Sequence, residues 1–207
     1  ARTIARDVNG SCPGLVGFNI MVATRDYEDY VRTAADAGAD VIISGAGLPV
    51  DMPAYVEGTD TKIAPIVSSE KAARIILKRW DKRFHRTADF LVIEGAHAGG
   101  HLGFSKEQLS HLYESDYDSQ YDEEIRRIIT CAKEYADKYQ TSIPVVVAGG
   151  IMNENQVRHV LELGADGIQV ATPFVTTEEC DAADAFKQAY VDARPEDIEI
   201  VTSPVGM

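Results

Sequence analysis

The sequence predicts an α/β protein of the TIM (β/α)8 barrel class, with about six of the eight β/α units present in its 207 residues. Three observations carry this. Short apolar runs alternate with amphipathic helical stretches. The intervals supply the dozen or more residues that a parallel crossover needs. Glycines and small polar residues gather directly after the apolar runs, where a barrel of this class places its ligands. A closed barrel needs about 250 residues. The chain opens with Ala1-Arg2-Thr3-Ile4 rather than methionine and stops at Pro204-Val205-Gly206-Met207. Residues 1–207 are therefore expected to form a single barrel domain truncated at both ends, its N-terminal units missing. An open doubly wound sheet is the competing architecture, since six units fill it without additions.

Leu15 to Met21 is an apolar run between Gly14 and Thr24 and reads as a buried strand. Thr24 or Asp26 caps a helix to about Ala37, with Tyr27, Tyr30, Val31 and Ala34 on one face, and Gly38 stops it. Asp40 to Ser44 is the second strand, followed by Gly45-Ala46-Gly47. Lys62 to Val67 is the third. Ser68 or Ser69 then caps a helix over residues 70–80 that aligns Ala73, Ile76, Leu77 and Trp80. Phe90 to Ile93 is the fourth strand and runs into Glu94-Gly95. Residues 105–121, acidic and rich in tyrosine, read as a loop with short helical pieces.

Glu123 to Lys138 is a helix, with Ile125, Ile128, Ile129 and Ala132 at helical spacing. Pro144 to Ala148 is the fifth strand, with Gly149-Gly150 at its end. Asn153 or Asn155 starts a helix to Leu163, and Gly167 to Val170 is the sixth strand. The words Ala37-Gly38-Ala39-Asp40 and Leu163-Gly164-Ala165-Asp166 resemble each other. They mark recurrence of one supersecondary unit rather than a solenoid, because the spacing is irregular.

Twenty basic against 33 acidic residues give a net charge of -13, which argues against a nucleic-acid partner. No apolar run approaches the length of a membrane span. Cys12, Cys131 and Cys180 are odd in number and widely spaced, so neither a disulfide framework nor a zinc finger is expected. A reducing cytoplasm is the simplest compartment.

The rim loops hold the candidate chemistry. Ala148-Gly149-Gly150 and Gln169-Val170-Ala171-Thr172, each leading to a helix N-terminus, suit a phosphate cradle. The plain alternative is that these glycines turn the chain. His101 lies among glycines in the loop after the fourth strand and suits a general base; an exposed loop histidine is the alternative. Glu94 reads as a second acid or base, as an acceptor for a ligand, or as a solvated strand-end carboxylate. His97 and His101 have i, i+4 spacing, but Ala98-Gly99-Gly100 between them disfavours a helix, so no metal site is expected. Tyr113, Tyr117 and Tyr121 form a lid or, as the better expectation, pack a peripheral segment onto the barrel. Walker, Gly-x-Ser-x-Gly and GxGxxG motifs are absent.

Taken together, Gly17 to Met21, Gly45 to Pro49, Glu94 to Gly103, Ala148 to Ile151 and Gln169 to Phe174 resemble the nitronate monooxygenase family, which includes the FMN-dependent enoyl-acyl-carrier-protein reductases. Ala98-Gly99-Gly100-His101-Leu102-Gly103 is the most specific word. The resemblance implies a (β/α)8 barrel with FMN at its C-terminal face. It places Asn19 and Glu94 near the flavin and Ala98, Gly99 and Gly100 along it. Gly149, Gly150, Ala171 and Thr172 would hold the phosphate, with Gln169 adjacent, and His101 matches the catalytic histidine. Ala171 stands where glycine is common, which a backbone donor tolerates. The family's first two strand units would precede the residues present. The implied activity is oxidation of alkyl nitronates with O2; reduction of an enoyl thioester by NAD(P)H and a non-catalytic flavin-binding barrel are the alternatives. The partners implied are a small-molecule substrate and O2, with a homodimer kept open.

Overall fold

The computed structural model describes residues 15–114 and 117–202. Six strands form one parallel sheet in the order β1-β2-β3-β4-β5-β6. They are β1 (Gly17–Asn19), β2 (Val41–Ser44), β3 (Lys62–Val67), β4 (Leu91–Glu94), β5 (Val145–Ala148) and β6 (Gly167–Gln169). Spatial order follows chain order without reversal. A doubly wound sheet reverses its strand order midway, so that alternative is rejected. The sheet is an arc of a barrel, each strand laid beside the last by a crossover.

The helices are α1 (Tyr27–Asp36), α2 (Met52–Tyr55), α3 (Glu70–Phe84), α4 (Lys106–Glu114), α5 (Tyr117–Tyr139), α6 (Glu154–Glu162), α7 (Thr172–Val175) and α8 (Asp184–Asp192). Strand alternation decides which residues meet them. Ile42, Ile63, Val67, Leu91, Ile93, Val145 and Val147 join one core cluster with Val31, Ile76, Leu77, Trp80, Ile125, Ile128 and Val160 of the helices. The alternate residues, among them Ile43, Val92, Glu94, Val146 and Ala148, face the inner side of the arc. Trp80, fully buried, donates its indole N–H to the Pro49 carbonyl at 2.9 Å. Ser69 caps α3 by accepting from the Ala72 N–H, and Asn153 caps α6 by accepting from Gln156. Cys131 is buried and Cys180 half-buried, while Cys12 lies outside the described residues.

The repeated Gly-Ala-Asp word has a physical basis. The Asp166 N–H donates to the Val145 carbonyl at 2.8 Å, and the Val145 N–H donates back to the Asp166 carboxylate at 2.8 Å. Asp40 exchanges the same pair with Val16, and Asp89 with Ile63. Each aspartate thus staples the start of its own strand to the start of the preceding one. A carboxylate accepting a backbone N–H makes a stronger bond than a neutral acceptor.

Residues 105–121 are more helical than the expected loop with short helical pieces: α4 occupies 106–114, and α5 begins at Tyr117 rather than Glu123. Tyr121 extends the stripe of Ile125, Ile128 and Ala132 by one more helical step and is 6% exposed. Its ring meets Phe104 edge-on at 5.8 Å. Packing, not a lid, is its role; the side chains of Tyr113 and Tyr117 lie outside the described residues. Among the described residues no helix is long and apolar enough to cross a membrane.

Candidate active site

The C-terminal ends of β3 and β4 enclose a cavity of 170 Å³. Glu94, the last residue of β4, reaches it from the inner face, and His101 reaches it from the loop that follows. Ser68 and Ser69 at the end of β3, and Ala46, Gly47 and Leu48 after β2, complete the walls with Ile66, Leu102 and Gly103. Glu94 and His101 are both half-buried. Sequence reasoning thus placed two residues at one rim that the fold does bring into one cavity. It overlooked Ser68 as a wall: that serine read only as a helix cap, whereas Ser69 is the cap.

The Glu94 carboxyl makes no hydrogen bond or ion pair among the described residues. Burial without compensation pushes its carboxyl from an ordinary 4.5 up to about 7. The folded state therefore holds a proton that the unfolded chain has lost between about pH 4.5 and 7, and this contribution to stability declines as pH rises through that window. Glu94→Gln removes the ionisation. We expect the variant to be more stable than the parent at pH 8 by roughly 1–2 kcal/mol, discounted for the solvent-screened part of the side chain, with no such gain near pH 4.5. Denaturant unfolding at the two pH values checks this; an equal difference at both would remove the ionisation argument.

Tyr121 fixes the backbone beneath this carboxyl. Its hydroxyl lies 2.8 Å from the Glu94 carbonyl and 3.4 Å from that of Ser68, so one side chain ties the ends of β3 and β4 together. Sequence reasoning missed this role, although the spacing of Tyr121 from Ile125 was the available signal. Tyr121→Phe strips a buried donor from these carbonyls. A loss of about 1–2 kcal/mol of stability is expected by thermal or chemical unfolding, and an unchanged midpoint would deny the tether.

The glycine loops lie next along the rim. Gly149 and Gly150 have φ of +98° and +75°, open to glycine with little strain. A Cβ on Gly149 would sit 3.0 Å from the Gly95 backbone, and one on Gly150 would sit 2.6 Å from the His97 Cβ. These glycines let the loop after β5 pack on the loop after β4. Among the described residues, the N–H groups of Gly149, Gly150, Ile151, Val170 and Ala171 find no acceptor. Two adjacent loops thus leave a set of amide donors unused, which is the chemistry an anion requires. Thr172 and Ala171 are exposed there, and Gln169 pairs with Ala148 in the sheet.

A second cavity, of 270 Å³, lies on the helix side of the same loops, against Ile125, Val147, Ile151 and Val160. His159 and Asp122 approach to 2.8 Å at its wall. The fold sets Asn19 apart from Glu94. It pairs with Ile43, which pairs with Ala64, well before Ser68, and it lines a shallow groove beside Met21 and Tyr30. Ala98, Gly99 and Gly100 lie in the loop carrying His101, with Gly99 and Gly100 exposed. That loop contains no helix, so the spacing of His97 and His101 does not align them as on a helical face.

Comparison with known proteins bears on the family and the fold. The chain is 28% identical over 194 residues to a probable nitronate monooxygenase of Staphylococcus saprophyticus, covering 90% of this chain and 47% of that one. It therefore spans about half the length of this curated relative. The structure resembles FabK from Thermotoga maritima with a TM-score of 0.68 and 23% identity, covering 93% of this chain and 52% of that one. It resembles the nitroalkane oxidase of Streptomyces ansochromogenes with a TM-score of 0.60 and 21% identity, over 89% and 57% of the two chains. At these identities the structural likeness concerns the fold. The family model described as nitronate monooxygenase matches residues 6–207, and by that match over nearly its whole length the chain belongs to the nitronate monooxygenase family.

Proposed function

We propose that this chain carries the catalytic rim of an FMN-dependent oxidoreductase that oxidises alkyl nitronates with O2 in the cytoplasm. The observation that supports the reading most is the juxtaposition of Glu94 and His101 in one small cavity beside two loops with unused amides. The donor set fits a flavin phosphate. Gly149, Gly150, Ile151, Val170 and Ala171 offer N–H groups and Thr172 a hydroxyl, with Gln169 adjacent. Ala98, Gly99 and Gly100 would lie along the ring system, and a Cβ on Gly99 would meet nothing within 4 Å. Bound FMN supplies the redox chemistry.

The protein's share is binding, orientation and proton handling. His101 removes the proton from the carbon bearing the nitro group of a neutral nitroalkane, and the electron pair left behind passes to the nitro oxygens as the nitronate. With a preformed nitronate it orients the anion. Ile66 and Leu102 give the alkyl part an apolar wall.

The resemblance of Ala98 to Gly103 to a family that includes the FMN-dependent enoyl-acyl-carrier-protein reductases supports a second reading, reduction of an enoyl thioester by NAD(P)H. Purified protein is assayed for bound flavin, then offered ethylnitronate with O2 and, separately, crotonyl thioester with NADH. FMN with nitronate turnover is the expected result. Turnover of the thioester alone would select the second reading, and failure to bind FMN would remove both.

A further inference from the structure

A half-buried carboxyl with no partner among the described residues, facing a cavity, is an unpaid desolvation cost unless a ligand or a proton meets it. Glu94 is in that position, and Tyr121 holds its backbone in place. We propose that Glu94 meets its ligand as the neutral acid, donating its carboxyl O–H to an oxygen of a small organic oxyanion of the nitronate or carboxylate class, so that binding takes up a proton. This rests on reading the cavity as the substrate pocket.

The ionised form would repel such an anion across a short, poorly solvated gap, whereas an O–H donor to a charged oxygen forms one of the stronger hydrogen bonds. The groups facing Glu94 leave it this role. Ser68 and Ser69 from the end of β3 and Ala148 from β5 are uncharged, and the loop after β2 brings only Ala46, Gly47 and Leu48. His101 is the one other titratable side chain on the cavity wall among the described residues. The carboxyl, already raised to about 7 by burial, is protonated in a sizeable fraction of molecules at neutral pH. An arriving anion favours that form further. The cavity gives the organic part Ile66, Val67 and Leu102 to rest against.

The test is calorimetric titration of the intact chain with propionate between about pH 6 and 8.5, in two buffers of different ionisation enthalpy. Uptake of close to one proton is expected above pH 7, with affinity falling up to tenfold per pH unit there. Glu94→Gln keeps an N–H donor in place of the O–H, so its affinity should no longer follow that slope and its proton uptake should vanish. His101→Gln separates the imidazole, and the slope due to Glu94 should persist in it. Absence of propionate binding, a flat profile in the parent protein, or a slope that survives Glu94→Gln would each overturn the proposal. Ethylnitronate oxidation is followed in parallel. Proton-linked propionate binding that depends on Glu94, without oxidation, supports this proposal and removes the nitronate reading; oxidation without linkage removes this proposal alone.

Discussion

Replacing His101 with Asn is expected to slow oxidation of neutral nitroethane by about 10²–10⁴-fold while leaving flavin content close to that of the parent. The size follows from the step it serves. Removal of a carbon-bound proton needs a base at the substrate, and among the described residues His101 is the only histidine on the wall of the cavity that holds Glu94. Ethylnitronate arrives already deprotonated, so its oxidation should fall less. The difference between the two substrates isolates proton abstraction from binding of the anion. Flavin retention is the second arm. The amides proposed to hold the phosphate belong to the loops after β5 and β6, not to the imidazole. Equal and small losses on both substrates would take the base role from His101. Loss of flavin would make it a structural residue of the loop.

Much of this arrangement was legible in the sequence because strands and caps are local. The apolar runs at residues 40–44, 62–67 and 144–148 became β2, β3 and β5 within a residue or two. Ser69 and Asn153 cap their helices as serine and asparagine do before an amphipathic stretch. Glu94 and His101 were readable as rim residues because Glu94 ends β4 and His101 lies in the loop that follows it.

What was not legible depends on partners distant in the chain. The Asp40 and Asp166 words were visible as a repeat, but their exchange with Val16 and Val145 requires strand neighbours. Asp89 makes the same exchange without the full word, so its membership shows only in three dimensions. Tyr121 sits in an acidic stretch whose charges hide the helical stripe; its tie between Ser68 and Glu94 is a tertiary event. The role of Gly149 and Gly150 divides in the same way. Composition marks them as rim glycines, while only the fold identifies the neighbouring loop their missing Cβ atoms admit.

Gly149→Ala is expected to have a second large effect. The φ of +98° is strained for alanine, and left-handed backbone costs a residue with a Cβ about 1–2 kcal/mol. The new methyl would also meet the Gly95 N and O at 3.0 Å and the Ala98 N at 3.1 Å. These are backbone atoms, so no rotamer change relieves the contact, and overpacking adds about 1–3 kcal/mol. Together these terms predict a melting temperature lower by roughly 4–20 °C for a chain of this size. The loop that must yield is the one carrying Ala98, Gly99, Gly100 and His101. The same substitution should therefore weaken FMN binding by about tenfold or more, a factor that needs only about 1.4 kcal/mol. Gly99→Ala is the control. Its added Cβ meets nothing in the protein within 4 Å, and its φ lies outside the left-handed region, so the melting temperature should hold. Any fall in FMN affinity in that variant then reports a direct approach of the flavin to Gly99. Thermal unfolding and quenching of FMN fluorescence, measured on both variants, decide the matter. A Gly149→Ala protein that melts with the parent would show that the two loops do not pack as described.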